Sequence, residues 1–222
     1  MDNTEHYKFH LCTLPYLPDA LEPHLSEETI RGHHEVICNN YAEQLNAVLK
    51  HYPQYHNWTL EQLIRDNGQI VTEIRDQVLF YAGGLHNHII YFEGMRPAGE
   101  GEPRPVGTLK DEIDASFGSF AEFKRRFKFA AGIIRGSGFV GLVKNHRNSL
   151  CIITMRINES PLAVNLYPVL ILDMWEHAYM CQYLSSEEYI ENWFKLIDWQ
   201  KAEEQYLYEY DFRTKRQHTP CC

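Results

Sequence analysis

The sequence predicts an α+β protein: an N-terminal α-helical hairpin followed by a mixed domain of helices and a three-stranded antiparallel sheet. Three observations lead there. Helix-start signals fill the first part of the chain, a Pro/Gly-rich stretch divides it, and three short apolar runs bounded by turn residues follow only after that divide. At 222 residues the chain suits one large domain or two small ones sharing an interface.

After an extended stretch over Thr13 to Asp19, the first helix is predicted from Ser26 to about Lys50. Ser26 can cap its orphan amides, and Glu27 and Glu28 suit the positive end of its dipole. Residues His51 to Trp58, with Pro53 and Asn57, read as a loop. Thr59-Leu-Glu-Gln62 then has the form of a capping box opening a short helix. A further helix is predicted from Val71 to Phe92, although Gly83 and Gly84 lie inside it against propensity. Paired glycines in a helix mark close approach by another group. Gly94 to Gly107 holds four glycines and three prolines' worth of turn chemistry and is the best boundary. Residues 1–94 are thus read as the hairpin domain, 95–107 as a linker and 108–222 as the C-terminal domain. That domain is expected to begin helical, from about Leu109 to Ile134. Strands are expected at Phe139 to Val143, Leu150 to Arg156 and Val169 to Leu172, with turns at Asn145 to Asn148 and Asn158 to Pro161. The pattern is again helical from Glu176 to Tyr208.

Composition narrows the function. A net charge of −9 argues against nucleic acid or an anionic membrane as partner, since each attracts a basic face. No stretch reaches the roughly 20 apolar residues of a membrane span, and the first residues lack a basic region followed by an apolar run. Six cysteines (12, 38, 151, 181, 221 and 222) show no C-x-x-C pair, so they are expected to be reduced thiols in a cytoplasmic protein. The Cys221-Cys222 pair reads as part of a mobile tail.

Position, rather than number, makes some of the twelve histidines informative. His33, Ile37 and Tyr41 recur every four residues along the first helix. Asp173 and His177 are also four apart, beginning just after an apolar strand where a helix is expected to start. His86 and His88 point in different directions, so only one should join a given site. A site of imidazoles and a carboxylate favours iron, manganese or zinc over a structural thiolate site.

Several ordered segments resemble the iron/manganese superoxide dismutases. Leu14-Pro-Tyr-Leu-Pro-Asp-Ala-Leu-Glu-Pro-His24 is similar to that family's opening, and His33-His34 with Tyr41 and Leu45-Asn46 to its first metal helix. Asn87-His88, Gly101-Glu-Pro103, Phe117-Gly-Ser-Phe120, Phe123-Lys124 and Gly136-Ser-Gly138 match further landmarks. Asp173-Met-Trp-Glu-His-Ala-Tyr179 is the most specific match. The resemblance implies that His33, His88, Asp173 and His177 bind one manganese or iron ion between the two domains, with water or hydroxide as fifth ligand. Two superoxide anions would become O2 and H2O2. Tyr41 would handle the proton, Trp175 would wall the pocket, and Glu176 would reach His177 of a partner subunit. A homodimer is implied, with a tetramer as the larger alternative.

Departures from the family fall near the site. Histidine commonly stands where this chain has Ile37, and its tyrosine partner from the other subunit where it has Met180; the two are read as a coupled apolar pair across a dimer. The glutamine that bonds the metal-bound solvent comes, in manganese types, from the position of Asn158, and in iron types from that of Gly84. This favours manganese slightly. Asparagine falls about 1.3–1.5 Å short unless the backbone moves or a water intervenes. Phe139 replaces a tryptophan, Val36 a frequent lysine, and Ser185-Ser-Glu-Glu188 an arginine-containing segment. Two other readings share the fold: a metal enzyme of altered, peroxidase-like chemistry, and a structural or interaction protein. His24, His34 and His86 are expected to be structural, Arg135 to be a surface or interface charge, and Cys38 and Cys181 to be small buried hydrophobes.

Overall fold

The computed structural model describes residues 6–101 and 103–212. The Cys221-Cys222 pair lies outside the described residues.

The first helix is a single run of three geometries: α1 (Glu27–Arg31), a π-helical segment (Gly32–Cys38) and α2 (Asn39–Leu49). Ser26 caps it as expected, its hydroxyl accepting from the Thr29 amide. Sequence periodicity did not foresee the π segment, because propensity scales do not separate i→i+5 from i→i+4 bonding. π-helical turns are rare and concentrate at functional sites. A capping box between Thr59 and Gln62 opens α3 (Leu60–Arg65).

The other arm of the hairpin is α4 (Thr72–Glu93), against which α2 packs. Every residue from Ala82 to Phe92 is buried. A helix buried all round must be covered on every side, and β3 (Tyr167–Asp173) supplies cover that the hairpin itself does not. The paired glycines act as expected. A Cβ on Gly83 would stand 2.1 Å from the Asn158 carbonyl oxygen, and one on Gly84 would stand 2.8 Å from the Asn158 amide nitrogen. The loop before Pro161 therefore rests directly on the helix backbone.

The range expected to be helical, Leu109 to Ile134, holds two helices: α5 (Gly107–Phe117) and α6 (Phe120–Gly132). Gly118 takes the left-handed conformation (φ +87°) that ends α5, and the Ser119 hydroxyl caps α6 by accepting from the Glu122 amide. Strands β1 (Gly138–Lys144), β2 (Leu150–Arg156) and β3 form an antiparallel sheet in the order β2-β1-β3. The range expected to be helical from Glu176 to about Tyr208 is likewise made of several pieces. One short 3-10 turn (Glu176–Ala178) precedes α7 (Ser186–Leu196) and α8 (Trp199–Leu207). α7 ends where Ile197 turns extended (ψ 127°), and Asp198 caps α8, accepting from the amides of Gln200 and Lys201. Among the described residues no helix is long and apolar enough to cross a membrane. Cys12, Cys38 and Cys181 are free thiols, but Cys181 is exposed rather than buried, and Cys151 is disulfide-bonded, against the expectation of six reduced cysteines.

Candidate metal centre

Four elements deliver four side chains to one point. His33 comes from the π segment, His88 from the buried half of α4, Asp173 from the last position of β3, and His177 from the 3-10 turn beyond it. Asp173 and His177 thus meet across a strand end, not one turn apart on a helix as the sequence spacing suggested. Nε2 of His33 lies 3.1 Å from Oδ2 of Asp173, and Nε2 of His88 and of His177 each lie 3.4 Å from that same oxygen. One candidate ligand atom from each residue falls within 4.8 Å of the others. Atoms about 2.1 Å from a shared ion and 90–110° apart would stand about 3.0–3.4 Å from each other, so the spacing fits a single ion.

The donor chemistry fits as well. His88 Nδ1 donates to the Gly84 carbonyl at 2.6 Å, which fixes the tautomer and leaves Nε2 bare; that buried atom and Nε2 of His177 have no hydrogen-bond partner in the protein. Uncompensated nitrogens in a dry interior are costly unless something binds them. Asp173 Oδ1 is occupied by the Trp175 amide at 2.7 Å, so Oδ2 alone faces the histidines.

Burial pushes His33 below its ordinary value, with Asp173 partly opposing, and pushes His88 down to about 3. Both imidazoles are therefore neutral ligands at pH 7. Burial alone would raise Asp173, but the close approach of the His177, His33 and His88 imidazoles outweighs it and holds the carboxyl well below the usual range. A lone carboxylate amid three imidazoles, two of them held neutral by burial, calls for a cation.

Tyr41 lies over this cluster, its ring centroid 5.1 Å from that of His88, and burial raises its pKa so that the phenol keeps its proton. The Asn158 side chain interacts with Tyr41, yet neither atom of its buried amide completes a good hydrogen bond within the protein. Trp175 stacks on His177 at 5.4 Å, its indole N–H donating to the Ile157 carbonyl, and Phe139 meets His88 edge-on at 5.6 Å. Glu176 is exposed.

Comparison with known proteins decides the family. The alpha-hairpin domain model of the iron/manganese superoxide dismutases matches residues 8–96, and the C-terminal domain model of the same family matches residues 105–205. A manganese superoxide dismutase of Listeria monocytogenes serovar 1/2a is 36% identical over 199 residues, covering 89% of this chain and 97% of its own. Manganese superoxide dismutase 3 of Leptolyngbya boryana is 35% identical over 190 residues, covering 85% and 79%.

The chain belongs to the iron/manganese superoxide dismutases.

In this superoxide dismutase fold the departures seen in the sequence have definite settings. Ile37 is half-buried against the main core, while Met180 is 57% exposed on this chain. Of the structural histidines, His24 bonds Asn192 at 2.9 Å, His34 bonds the Cys12 carbonyl at 2.7 Å, and His86 is buried away from the cluster, leaving His88 as the member of the pair that joins it. Arg135 is exposed. Sequence reasoning missed a supporting pair. The Tyr189 hydroxyl donates to the Asp173 carbonyl at 2.9 Å and meets the Tyr91 hydroxyl at 3.1 Å, bracing the strand end that carries the carboxylate. The spacing of these tyrosines gives no signal, since they stand 98 residues apart on helices with ordinary apolar periodicity.

Proposed function

We propose that the chain converts two superoxide anions and two protons to O2 and H2O2 at one manganese ion, held by His33, His88, Asp173 and His177. The convergence of three imidazole nitrogens on a single carboxylate oxygen carries this reading, joined by the family's established chemistry. When bound, the ion supplies a one-electron couple that superoxide can both reduce and reoxidise. Manganese is favoured over iron by the names of the relatives and by Gly84, with the amide coming from Asn158 instead.

The surrounding residues have separable tasks. Burial keeps His33 and His88 neutral. Tyr41 holds a proton at its phenol oxygen, and the Asn158 amide, unsatisfied within the protein, is available to solvent or substrate beside it. The close seating of the Asn158 loop on Gly83 offsets the missing methylene of an asparagine that stands in place of glutamine. Trp175 and Phe139 wall the pocket. Glu176 is assigned to His177 of a partner subunit in a homodimer, in which Ile37 and Met180 pack across the interface. The metal lies between the hairpin domain (1–94) and the C-terminal domain (108–222). The free thiols of Cys12, Cys38 and Cys181 support a cytoplasmic location, and the Cys151 disulfide counts against it.

Pulse radiolysis on protein assayed for manganese and iron tests the proposal. Superoxide decay should scale with bound manganese and disappear in His177→Ala. Bound metal with decay no faster than buffer would refute it, and decay that follows iron alone would overturn the choice of ion.

A further inference from the structure

The stretch preceding the first helix lies over the hairpin as a single layer. Phe9 exchanges two hydrogen bonds with the Asn46 side chain, its amide donating to Oδ1 at 2.9 Å and its carbonyl accepting from Nδ2 at 2.7 Å. Cys12 is held to the π segment by the His34 ring, whose Nε2 lies 2.7 Å from the Cys12 carbonyl oxygen and 3.7 Å from its sulfur. One further helical turn along from His34, Cys38 presents a second free, buried thiol, near enough to Cys12 that each shifts the other's ionisation. Both are buried, while His10 and Thr13, close to Cys12 along the chain, are exposed. Nothing in the dismutase chemistry uses these sulfurs.

We propose that Cys12 and Cys38 form a reversible, peroxide-oxidised dithiol that staples the N-terminal arm to the segment bearing His33. The contact makes the two thiols unequal. The neighbouring Cys38 lowers Cys12 to about 6, with burial opposing and His34 assisting, whereas Cys12 and burial raise Cys38. Cys12 is thus the thiolate nucleophile and Cys38 the protonated partner, the division of labour of a redox-sensing pair.

The chemistry balances with hydrogen peroxide, the product of the dismutation, as the two-electron oxidant. The Cys12 thiolate attacks one peroxide oxygen; an S–O bond forms, the O–O bond breaks, and the hydroxide released takes up a proton as water. Cys38 sulfur then attacks the sulfenic sulfur of Cys12; the S–S bond forms, the S–O bond breaks, and the departing hydroxide carries off the Cys38 proton as a second water. Two thiols and one H2O2 give one disulfide and two waters. With 25 residues between the cysteines, the link would close a sizeable loop and constrain the unfolded chain.

Added peroxide makes the test independent of turnover. Metal-loaded protein carrying Cys181→Ser, which removes the exposed thiol, is treated with one to two equivalents of H2O2 and mapped by mass spectrometry without reduction. The expected result is a Cys12–Cys38 linked peptide that dithiothreitol reverses, with a melting temperature raised by about 5–10 °C while linked. In Cys38→Ser, dimedone should trap a sulfenic acid on Cys12; in Cys12→Ser, Cys38 should stay unmodified. Both thiols remaining reduced in the folded protein, while the urea-unfolded chain cross-links, would overturn the proposal. So would dimedone capture at Cys38 rather than Cys12.

Discussion

Replacing Gly83 with alanine offers a sharp test of how the amide-bearing loop is seated. The new Cβ would stand 2.1 Å from the Asn158 carbonyl oxygen, whereas ordinary van der Waals contact begins at 3.4 Å. The loop would have to recede by about 1.3 Å, and the obstacle is backbone, which cannot swing aside as a side chain can. It would also pull on the hydrogen bond from Asn87 Nδ2 to the Glu159 carbonyl, at 2.8 Å. Overpacking costs about 1–3 kcal/mol, and a backbone clash belongs at the upper end. Alanine returns about 0.5–1 kcal/mol of helix propensity, which leaves a net loss of about 2 kcal/mol. For a chain of this size that corresponds to a melting temperature lower by about 4–8 °C. Gly84→Ala should behave differently. Its Cβ would meet side chains, the Asn158 amide at 2.8 Å and two Tyr41 ring atoms at 2.9 Å, which can yield at little cost to stability. They would yield by leaving their working positions, so turnover should fall about 10-fold or more with manganese retained, the loss expected when one proton-handling group is misplaced. Scanning calorimetry and pulse radiolysis on the manganese-loaded variants would separate the two effects. A Gly83→Ala protein that melts at or above wild type would refute the reasoning, since it would show that the loop is not held against the helix.

Acid should destabilise the metal-free protein through its buried histidines. Burial lowers His86 to about 4 and His88 to about 3 from an ordinary 6.5, so below about pH 6.5 the unfolded chain takes up protons that the folded chain refuses. Their stabilising contribution is intact above pH 6.5 and is lost as the pH falls towards 4. His86→Gln should relieve this by something of order 3 kcal/mol at pH 4, read from urea midpoints of the metal-free protein at pH 7 and 4.5; parallel curves for the two proteins would count against it. Tyr41→Phe should keep its metal but lose about 10- to 100-fold in turnover, as expected for one proton-handling group, and metal loss would instead mark Tyr41 as a packing residue. With a net charge of −9 and Val36 in place of a basic residue, superoxide decay should be about 10- to 1000-fold below the diffusion-limited range. It should also depend weakly on ionic strength, and a steep fall between 10 and 150 mM salt would contradict this.

The parts of the fold that were legible in the sequence are those governed by short-range chemistry. Ser26 and the Thr59–Gln62 box mark helix starts because capping needs only a side chain and an amide three residues on. The three strands are bounded by turn residues and apolar runs, and they formed almost where expected. Breaks inside helical patterns were harder to see. Gly118-Ser119 and Asp198 interrupt apolar periodicities that continue on both sides, so the pattern alone gave helical ranges without their divisions. At the site, residue spacing narrowed the histidine pair to one member but could not choose between His86 and His88; resemblance to the family made that choice. The bond from His88 to the Gly84 carbonyl and the Tyr189–Tyr91 brace were invisible, because each depends on contacts that only the folded chain creates.

The π segment has a consequence for which changes the chain tolerates. In an α-helix the eight steps from His33 to Tyr41 would turn through about 800°, leaving the two side chains about 80° apart. Five of those steps lie within Gly32–Cys38, where the wider turn advances about 80° per residue, so the total is about 700° and the two directions agree within about 20°. Length, more than residue identity, is therefore what this stretch must preserve. Deleting any one residue between 32 and 38 would let it relax into ordinary helix and swing His33 away from Asp173, even if each functional side chain were retained. A library that keeps His33 and varies the composition of the other six positions should yield many folded, metal-binding proteins, and one that varies their number should yield almost none.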